Sequence, residues 1–105
     1  MKTIVHYLTA DCKDPYQEWL NSLKDPIAKA KITTRINRLS AGNFGDCKPL
    51  QDGVWELRID QGPGYRVYYA QIENITLLLL SGGDKRKQQA DIEKAIVYLR
   101  DYQSR

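Results

Sequence analysis

Apolar residues recur along the first third of the chain with the spacing of an α-helix. Asp14-Pro15 is a typical helix start, with the aspartate as N-cap and the proline at the first helical position. Apolar side chains follow at i, i+3, i+4 and i+7, so one face of this helix is predicted to be buried. They are Tyr16, Trp19, Leu20 and Leu23.

A second helix start, Asp25-Pro26, comes directly afterwards, and Gly42 is the predicted end of that helix. Two helices joined this tightly are expected to form a hairpin. The apolar stripe of the second helix consists of Ile27, Ala28, Ile32, Ile36 and Leu39.

Strand patterns lie on both sides of the helical hairpin. Residues 2–8 alternate loosely and predict an opening strand, and residues 54–60 alternate cleanly between apolar and polar side chains. A glycine-rich turn at 62–64 separates this strand from a further one over 65–72. Residues 75–80 are apolar almost throughout, which predicts a strand covered on both faces.

The chain is predicted to end in a helix. Gly82-Gly83 is expected to break the preceding strand, and Asp84 to cap the helix. The core stripe of this helix is Ile92, Ala95, Ile96 and Leu99. The predicted fold class is therefore α+β, as a single domain over 1–105. It has an N-terminal strand, a helical hairpin, an antiparallel sheet of three to four further strands and a C-terminal helix.

Composition and charge narrow the function only slightly. The net charge of +3 and the pI of about 8.9 are compatible with a polyanionic partner without proving one. The apolar runs are too short for a signal peptide or a membrane span, so a cytoplasmic protein without a membrane partner is expected. With Cys12 and Cys47 isolated and His6 the single histidine, no metal site is expected. No phosphate-loop or dinucleotide motif indicates a small-molecule cofactor.

Two polar features are candidates for chemistry. Period-2 geometry places Glu56, Arg58, Arg66 and Tyr68 on one sheet face, opposite the apolar one, and we expect that face to be exposed. Two arginines, a carboxylate and a tyrosine can bind phosphate, stack on bases and handle protons. The alternative interpretation is a solvated sheet face with cross-strand Glu–Arg pairs, and the pattern leaves both open.

The second feature is the run from Lys85 to Lys87 after Asp84, three cations in the predicted first turn of the last helix. The helix dipole disfavours cations there, by a few tenths of a kcal/mol each. The run predicts either an anion site at the helix N-terminus or side chains that simply extend into solvent. A further basic stretch on the second helix, from Lys24 to Arg38, is compatible with solubility or with a contact to ribosomal RNA or an acidic partner.

Several strings resemble one known group of proteins. They are Trp55-Glu56-Leu57-Arg58, Gly62-Pro63-Gly64-Tyr65-Arg66-Val67-Tyr68-Tyr69, Leu77 to Lys85, Gly42 to Lys48, and Gln88 to Ile92. Their combination resembles the RelE/ParE superfamily of toxins from type II toxin–antitoxin systems, and within it the HigB-like addiction module killer branch. The resemblance covers most of the chain, and the order of elements agrees with the one predicted above.

The resemblance implies a metal-independent endoribonuclease that enters the ribosomal A site and cuts translated mRNA. Its partners would be the ribosome, mRNA and a cognate antitoxin carrying a helix-turn-helix domain. The resemblance places phosphate stabilisation on Arg66, a second cation on Lys85 with Arg86 beside it, and an RNA contact on Arg58. Lys48 and Lys87 complete the predicted RNA-binding set.

The chain departs from the RelE pattern at the proton-transfer positions. Two lysines of RelE correspond to Val54 and Glu56 here, and the RelE tyrosine of the last helix falls near Asp91. Glu56 as general base, with Tyr68 or Lys85 nearby, is therefore a hypothesis that depends on their predicted co-facing. The superfamily also contains gyrase poisons such as ParE, and a degenerate member would only bind antitoxin or RNA.

Overall fold

The sheet and helices follow the predicted order. The computed structural model describes all residues from Met1 to Arg105. The elements are β1 (Thr3–His6), α1 (Pro15–Ser22), α2 (Pro26–Ser40), β2 (Cys47–Pro49), β3 (Trp55–Ile59), β4 (Tyr65–Ile72), β5 (Thr76–Asp84) and α3 (Gln88–Gln103). A short 3₁₀ turn over Lys85–Lys87 joins β5 to α3. The predicted α+β class is confirmed.

The predicted helix signals act as expected. The side chain of Asp14 accepts a hydrogen bond from the backbone N–H of Gln17 at 3.0 Å, and Asp25 caps α2 in the same way. Gly42 follows the end of α2 with φ of 97°, a conformation that glycine adopts without strain. Local rules therefore determine both ends of the hairpin.

One mixed sheet separates two layers of helix. The strand order is β1-β5-β4-β3-β2, with β1 parallel to β5 and the other pairs antiparallel. The hairpin of α1 and α2 packs on one face, and α3 packs on the other. In β5, Leu77 and Leu79 face the hairpin, while Leu78 and Leu80 face α3, so the prediction of a strand covered on both faces is confirmed.

The prediction that Gly82-Gly83 breaks the last strand is wrong, since β5 continues to Asp84. The glycines serve close packing instead. A Cβ at Gly82 would fall inside the ring of Trp19, and a Cβ at Gly83 would overlap the carboxylate of Asp91. Strand β5 thus runs five residues beyond its last β1 partner, Leu79, while it stays paired with β4.

The sheet face opposite the hairpin is not exposed, contrary to expectation. Glu56 and Tyr68 are both 0% exposed because α3 lies over them. The alternation along β3 and β4 correctly predicts which side chains share a face of the sheet. The face opposite the hairpin is buried because α3 packs on it and forms a second hydrophobic core.

The apolar stripe of α2 is narrower than predicted. Ala28, Ile32, Ile36 and Leu39 are buried, but Ile27 is 60% exposed. Neighbouring helical residues point about 100° apart, so Ala28 faces the sheet and Ile27 does not. No helix in this fold combines the length and the apolar character that a membrane crossing requires.

Matched truncations on α2 distinguish the two isoleucines. We expect Ile32→Ala to lower the free energy of unfolding by about 2–5 kcal/mol, because it empties a fully buried site. We expect Ile27→Ala to change it by no more than about 0.5 kcal/mol. Urea unfolding followed by circular dichroism measures both, and a similar loss at the two positions would contradict the packing described here.

Candidate functional site

The register of four antiparallel strands, β2 to β5, arranges the candidate residues in two rows on the sheet face towards α3. Lys48, Glu56, Tyr68 and Ser81 are consecutive cross-strand partners and form the first row. Arg58, Arg66 and Gly83 form the second row, one pleat further along. Residues directly opposite one another lie about 5 Å apart at Cα, so the two rows make one compact patch.

Glu56 is the centre of this patch and the only charged residue that is fully buried. Its Oε1 accepts a hydrogen bond from Nε of Arg58 at 3.1 Å. The same oxygen lies 2.9 Å from Nε of Arg66, an ion pair without hydrogen-bond alignment. The side-chain amide of Gln88, the first residue of α3, donates to Oε2 at 3.2 Å. Both carboxylate oxygens are therefore engaged.

The two arginines differ in their access to solvent. The side chain of Arg58 is 33% exposed and reaches outwards to Asp46, 3.7 Å away. The side chain of Arg66 is 11% exposed. The backbone carbonyl of Arg58 also accepts a hydrogen bond from Arg35 of α2 at 2.8 Å, which fixes this part of β3 from the other side. An anion that approached from solvent would meet Arg58 before Arg66.

Lys85 joins the arginines from the end of β5. Its side chain lies across Gly64, where a Cβ would stand 2.8 Å from Cε of the lysine. Gly64 has φ of 83°, immediately precedes β4 and lies two residues before Arg66, so Lys85 lies at the end of the sheet where β4 begins. We call Arg58, Arg66 and Lys85 the basic cluster.

The remaining predicted cations are placed differently. Lys48 is exposed on the edge strand β2, in register with Glu56. Arg86 and Lys87 line a neighbouring groove between α1 and α3. The guanidinium of Arg86 is 82% exposed and pairs with Asp84, at 2.7 Å. This pairing and a backbone hydrogen bond hold the pKa of Asp84 below its usual value.

Tyr68 is not placed for proton transfer to a ligand. Its hydroxyl is buried and has no hydrogen-bond partner. Burial, together with the negative charge of Glu56, raises the pKa of Tyr68 well above its ordinary value. His6 is partly exposed and lies far from this patch along β1, with Nδ1 2.6 Å from the carboxylate of Asp14.

Two residues of the site are not among the functional residues predicted from the sequence, although Asp91 is named there as the position near the RelE tyrosine. Gln88 enters the sequence analysis only as the first residue of a string that resembles the toxin family. The signal that could have identified it is the general requirement of a buried glutamate for hydrogen-bond partners from the element that covers it. Asp91 lies one helical turn after Gln88 and packs on Gly83, the cross-strand partner of Arg66. Burial raises the pKa of Asp91, although Lys94 and Lys87 act in the opposite direction. No group of three or more His, Cys, Asp and Glu side chains is arranged to hold a metal ion.

Comparison with known proteins gives one family and one relative. A family model described as phage-derived protein Gp49-like (DUF891) matches residues 18–100. An uncharacterized protein of Haemophilus influenzae is 52% identical over 80 residues, which are 76% of this chain and 81% of that protein. The family match includes every residue of the basic cluster, together with Glu56, Gln88 and Asp91.

The buried glutamate is expected to be a stability determinant. We expect Glu56→Gln to lower the free energy of unfolding by about 3 kcal/mol, because two guanidinium groups lose their counter-charge in a mostly buried place. Glu93→Gln, an exposed change of the same chemistry on α3, is the control and should stay within about 0.5 kcal/mol. Equal unfolding midpoints for the two variants would contradict this assignment.

Removing the charge of Asp91 is expected to stabilise the folded chain, the opposite of the effect expected at Glu56. The raised pKa of Asp91 means that its ionised form is disfavoured in the folded chain, so stability is lost as the pH rises through that pKa. Asp91→Asn should therefore unfold at a higher temperature than wild type at pH 7. The difference should shrink as the pH falls towards 3 and the carboxyl becomes protonated in both states. A difference that stays constant from pH 3 to 7 would argue against this origin.

Proposed function

The chain belongs to the phage-derived Gp49-like family, a toxin-like family of toxin–antitoxin systems, and from this premise we propose that it is a ribosome-dependent mRNA endoribonuclease. Its fold is compatible with that of RelE. The proposal places the chain in the RelE/ParE superfamily, in the HigB-like branch. The family implies an antitoxin partner. We propose that this antitoxin carries a helix-turn-helix domain and that the toxin acts in the cytoplasm.

The observation that carries the proposal is the basic cluster anchored by Glu56. Its cations come from three strands or strand ends, and a buried carboxylate fixes the two arginines at 3.1 and 2.9 Å. Such preorganised cations stabilise developing negative charge without the cost of rearrangement during the reaction. An exposed patch of flexible lysines would bind RNA but would lack this fixed geometry.

The proposed reaction is attack of an mRNA 2′-hydroxyl on the adjacent phosphate. A bond forms between the 2′ oxygen and phosphorus, and the bond from phosphorus to the 5′ oxygen breaks. Arg66, with Arg58 beside it, stabilises the charge on the pentacovalent phosphate. We propose that Lys85 donates a proton to the leaving 5′ oxygen and that the 2′-hydroxyl proton passes to water. Lys48, Arg86 and Lys87 contact the strand on either side of the cleaved phosphate.

Burial changes the roles proposed for Glu56 and Tyr68. A general base must reach the proton that it removes, and both oxygens of Glu56 are occupied beneath α3. We propose that Glu56 is a positioning residue for the arginines. Tyr68 supports it from the next strand as a buried neighbour.

Induction of the chain without antitoxin tests the function. We expect growth arrest and new 5′ ends within translated messages. Arg66→Ala should lower the frequency of these 5′ ends at least about 100-fold through loss of charge stabilisation, and should relieve the growth arrest accordingly. Arg100→Ala, on the far part of α3 beside Asp52, is the matched control and should cut like wild type.

The outcomes separate the alternatives. Growth arrest with intact messages would contradict the ribonuclease proposal and would favour a gyrase poison of the ParE kind. The absence of toxicity would favour a degenerate module that binds only antitoxin or RNA. Cuts that persist in Arg66→Ala would remove the basic cluster from the mechanism.

A further inference from the structure

A groove of about 460 Å³ adjoins the basic cluster between α1 and α3. Its floor is the part of β5 that extends beyond β1, at Ser81, Gly82 and Gly83. The volume lies within the range of small-ligand sites in proteins. Because Gly83 is the cross-strand partner of Arg66, the groove opens about 5 Å from the strand that carries the proposed phosphate ligand.

Two polar groups that line the groove have no hydrogen-bond partner, one on its β5 floor and one on α3. Ser81 is 7% exposed, and its buried hydroxyl forms no hydrogen bond. Asp91 forms no hydrogen bond or ion pair, and burial acts against its charge. A buried polar group without a partner, such as the Ser81 hydroxyl, is unfavourable, and the partly buried Asp91 carboxylate is also left without one. Such groups occur where a ligand supplies the missing partners.

Aromatic and cationic side chains surround these polar groups. The ring of Trp19 lies on Gly82, and Tyr98 borders the groove from α3. One face of Tyr98 is stacked on Tyr7, with ring centroids 5.0 Å apart, which fixes its orientation. Lys87 and Lys94 lie at the rim. Aromatic walls, an unpaired carboxylate and a cationic rim together resemble the way proteins hold an unstacked base of single-stranded RNA.

We propose that this groove binds one base of the RNA strand whose phosphate lies on the basic cluster, and that Asp91 contacts the edge of that base. The inference rests on the proposed function, because it assigns a subsite for the same substrate. Trp19 and Tyr98 enclose the base, and Lys87 and Lys94 contact the phosphate on its far side.

The free carboxylate predicts which base is preferred. Guanine presents two adjacent N–H donors, at N1 and N2, that match the two oxygens of one carboxylate. Uracil presents a single N–H between two carbonyl oxygens, and the partial negative charge of these oxygens is repelled by the Asp91 carboxylate. We therefore expect guanine to bind best at this groove.

The test uses Trp19 as its own reporter. The chain has two tryptophans, so Trp55→Phe, on β3 and separated from the groove floor on β5 by strand β4, leaves Trp19 as the single fluorophore. Guanosine 5′-monophosphate should quench its fluorescence in a saturable manner. Uridine 5′-monophosphate should bind about tenfold more weakly, and inorganic phosphate should bind more weakly still. Calorimetric titration of the chain with both tryptophans checks that the reporter substitution does not alter binding.

A substitution at Asp91 distinguishes recognition of the base from electrostatic binding of the phosphate. Asp91→Asn should weaken guanosine monophosphate binding by about tenfold or more and leave phosphate binding unchanged. The control Glu93→Gln removes a carboxylate from the same helix outside the groove and should bind like wild type. Thermal unfolding of each variant confirms that the fold is retained.

Three results would overturn the inference: no quenching at millimolar nucleotide, equal binding of inorganic phosphate and both nucleotides, or unchanged binding in Asp91→Asn. None of these depends on mRNA cleavage in cells. Cleavage by wild type without nucleotide binding would therefore refute the base subsite alone. Nucleotide binding without cleavage would refute the ribonuclease proposal and leave an RNA-binding groove.

Discussion

The interaction of Glu56 with two arginines and Gln88 is the constraint on which the rest of the structure depends. A carboxylate with no exposure to water is stable only with close counter-charges and hydrogen bonds. Arg58 and Arg66 supply the charges from two strands, and Gln88 supplies a hydrogen bond from α3. The same contacts therefore dock the C-terminal helix and fix the cations, so the fold and the candidate site cannot be altered independently.

The docking of α3 also explains how access to the site is limited. The helix begins above Glu56 and leaves the following row of the sheet open at Arg58. Helix α3 thus covers the sheet at Glu56 and leaves Arg58 partly exposed to solvent. Asp84 caps the 3₁₀ turn over Lys85–Lys87 that leads into α3, so Lys85 precedes the helix.

Local signals in the sequence were sufficient for the helix starts and for the face of each strand residue. Capping by Asp14 and the alternation in β3 depend on neighbours within a few residues, so they can be predicted without knowing the tertiary structure. Burial of Glu56 depends on where a helix some 30 residues later docks, which no local pattern encodes. The prediction at Gly82-Gly83 is wrong for a similar reason, because the atoms that require glycine there belong to Trp19 on α1 and to Asp91 on α3, and both contacts depend on how these helices pack on β5.

Three carboxylates near the cations show why one of them is the best candidate for contact with a ligand. Glu56 is neutralised by two guanidinium groups, and Asp84 by Arg86 together with a backbone N–H. Asp91 has neither, and its ionised form is penalised by burial. A residue that costs stability without a structural partner is typical of functional sites. Because Asp91 also lies on the glycine opposite Arg66, the unpaired anion and the anchored cations lie on adjoining parts of the sheet, where the proposed RNA strand would offer base N–H groups to Asp91 and phosphates to the cations.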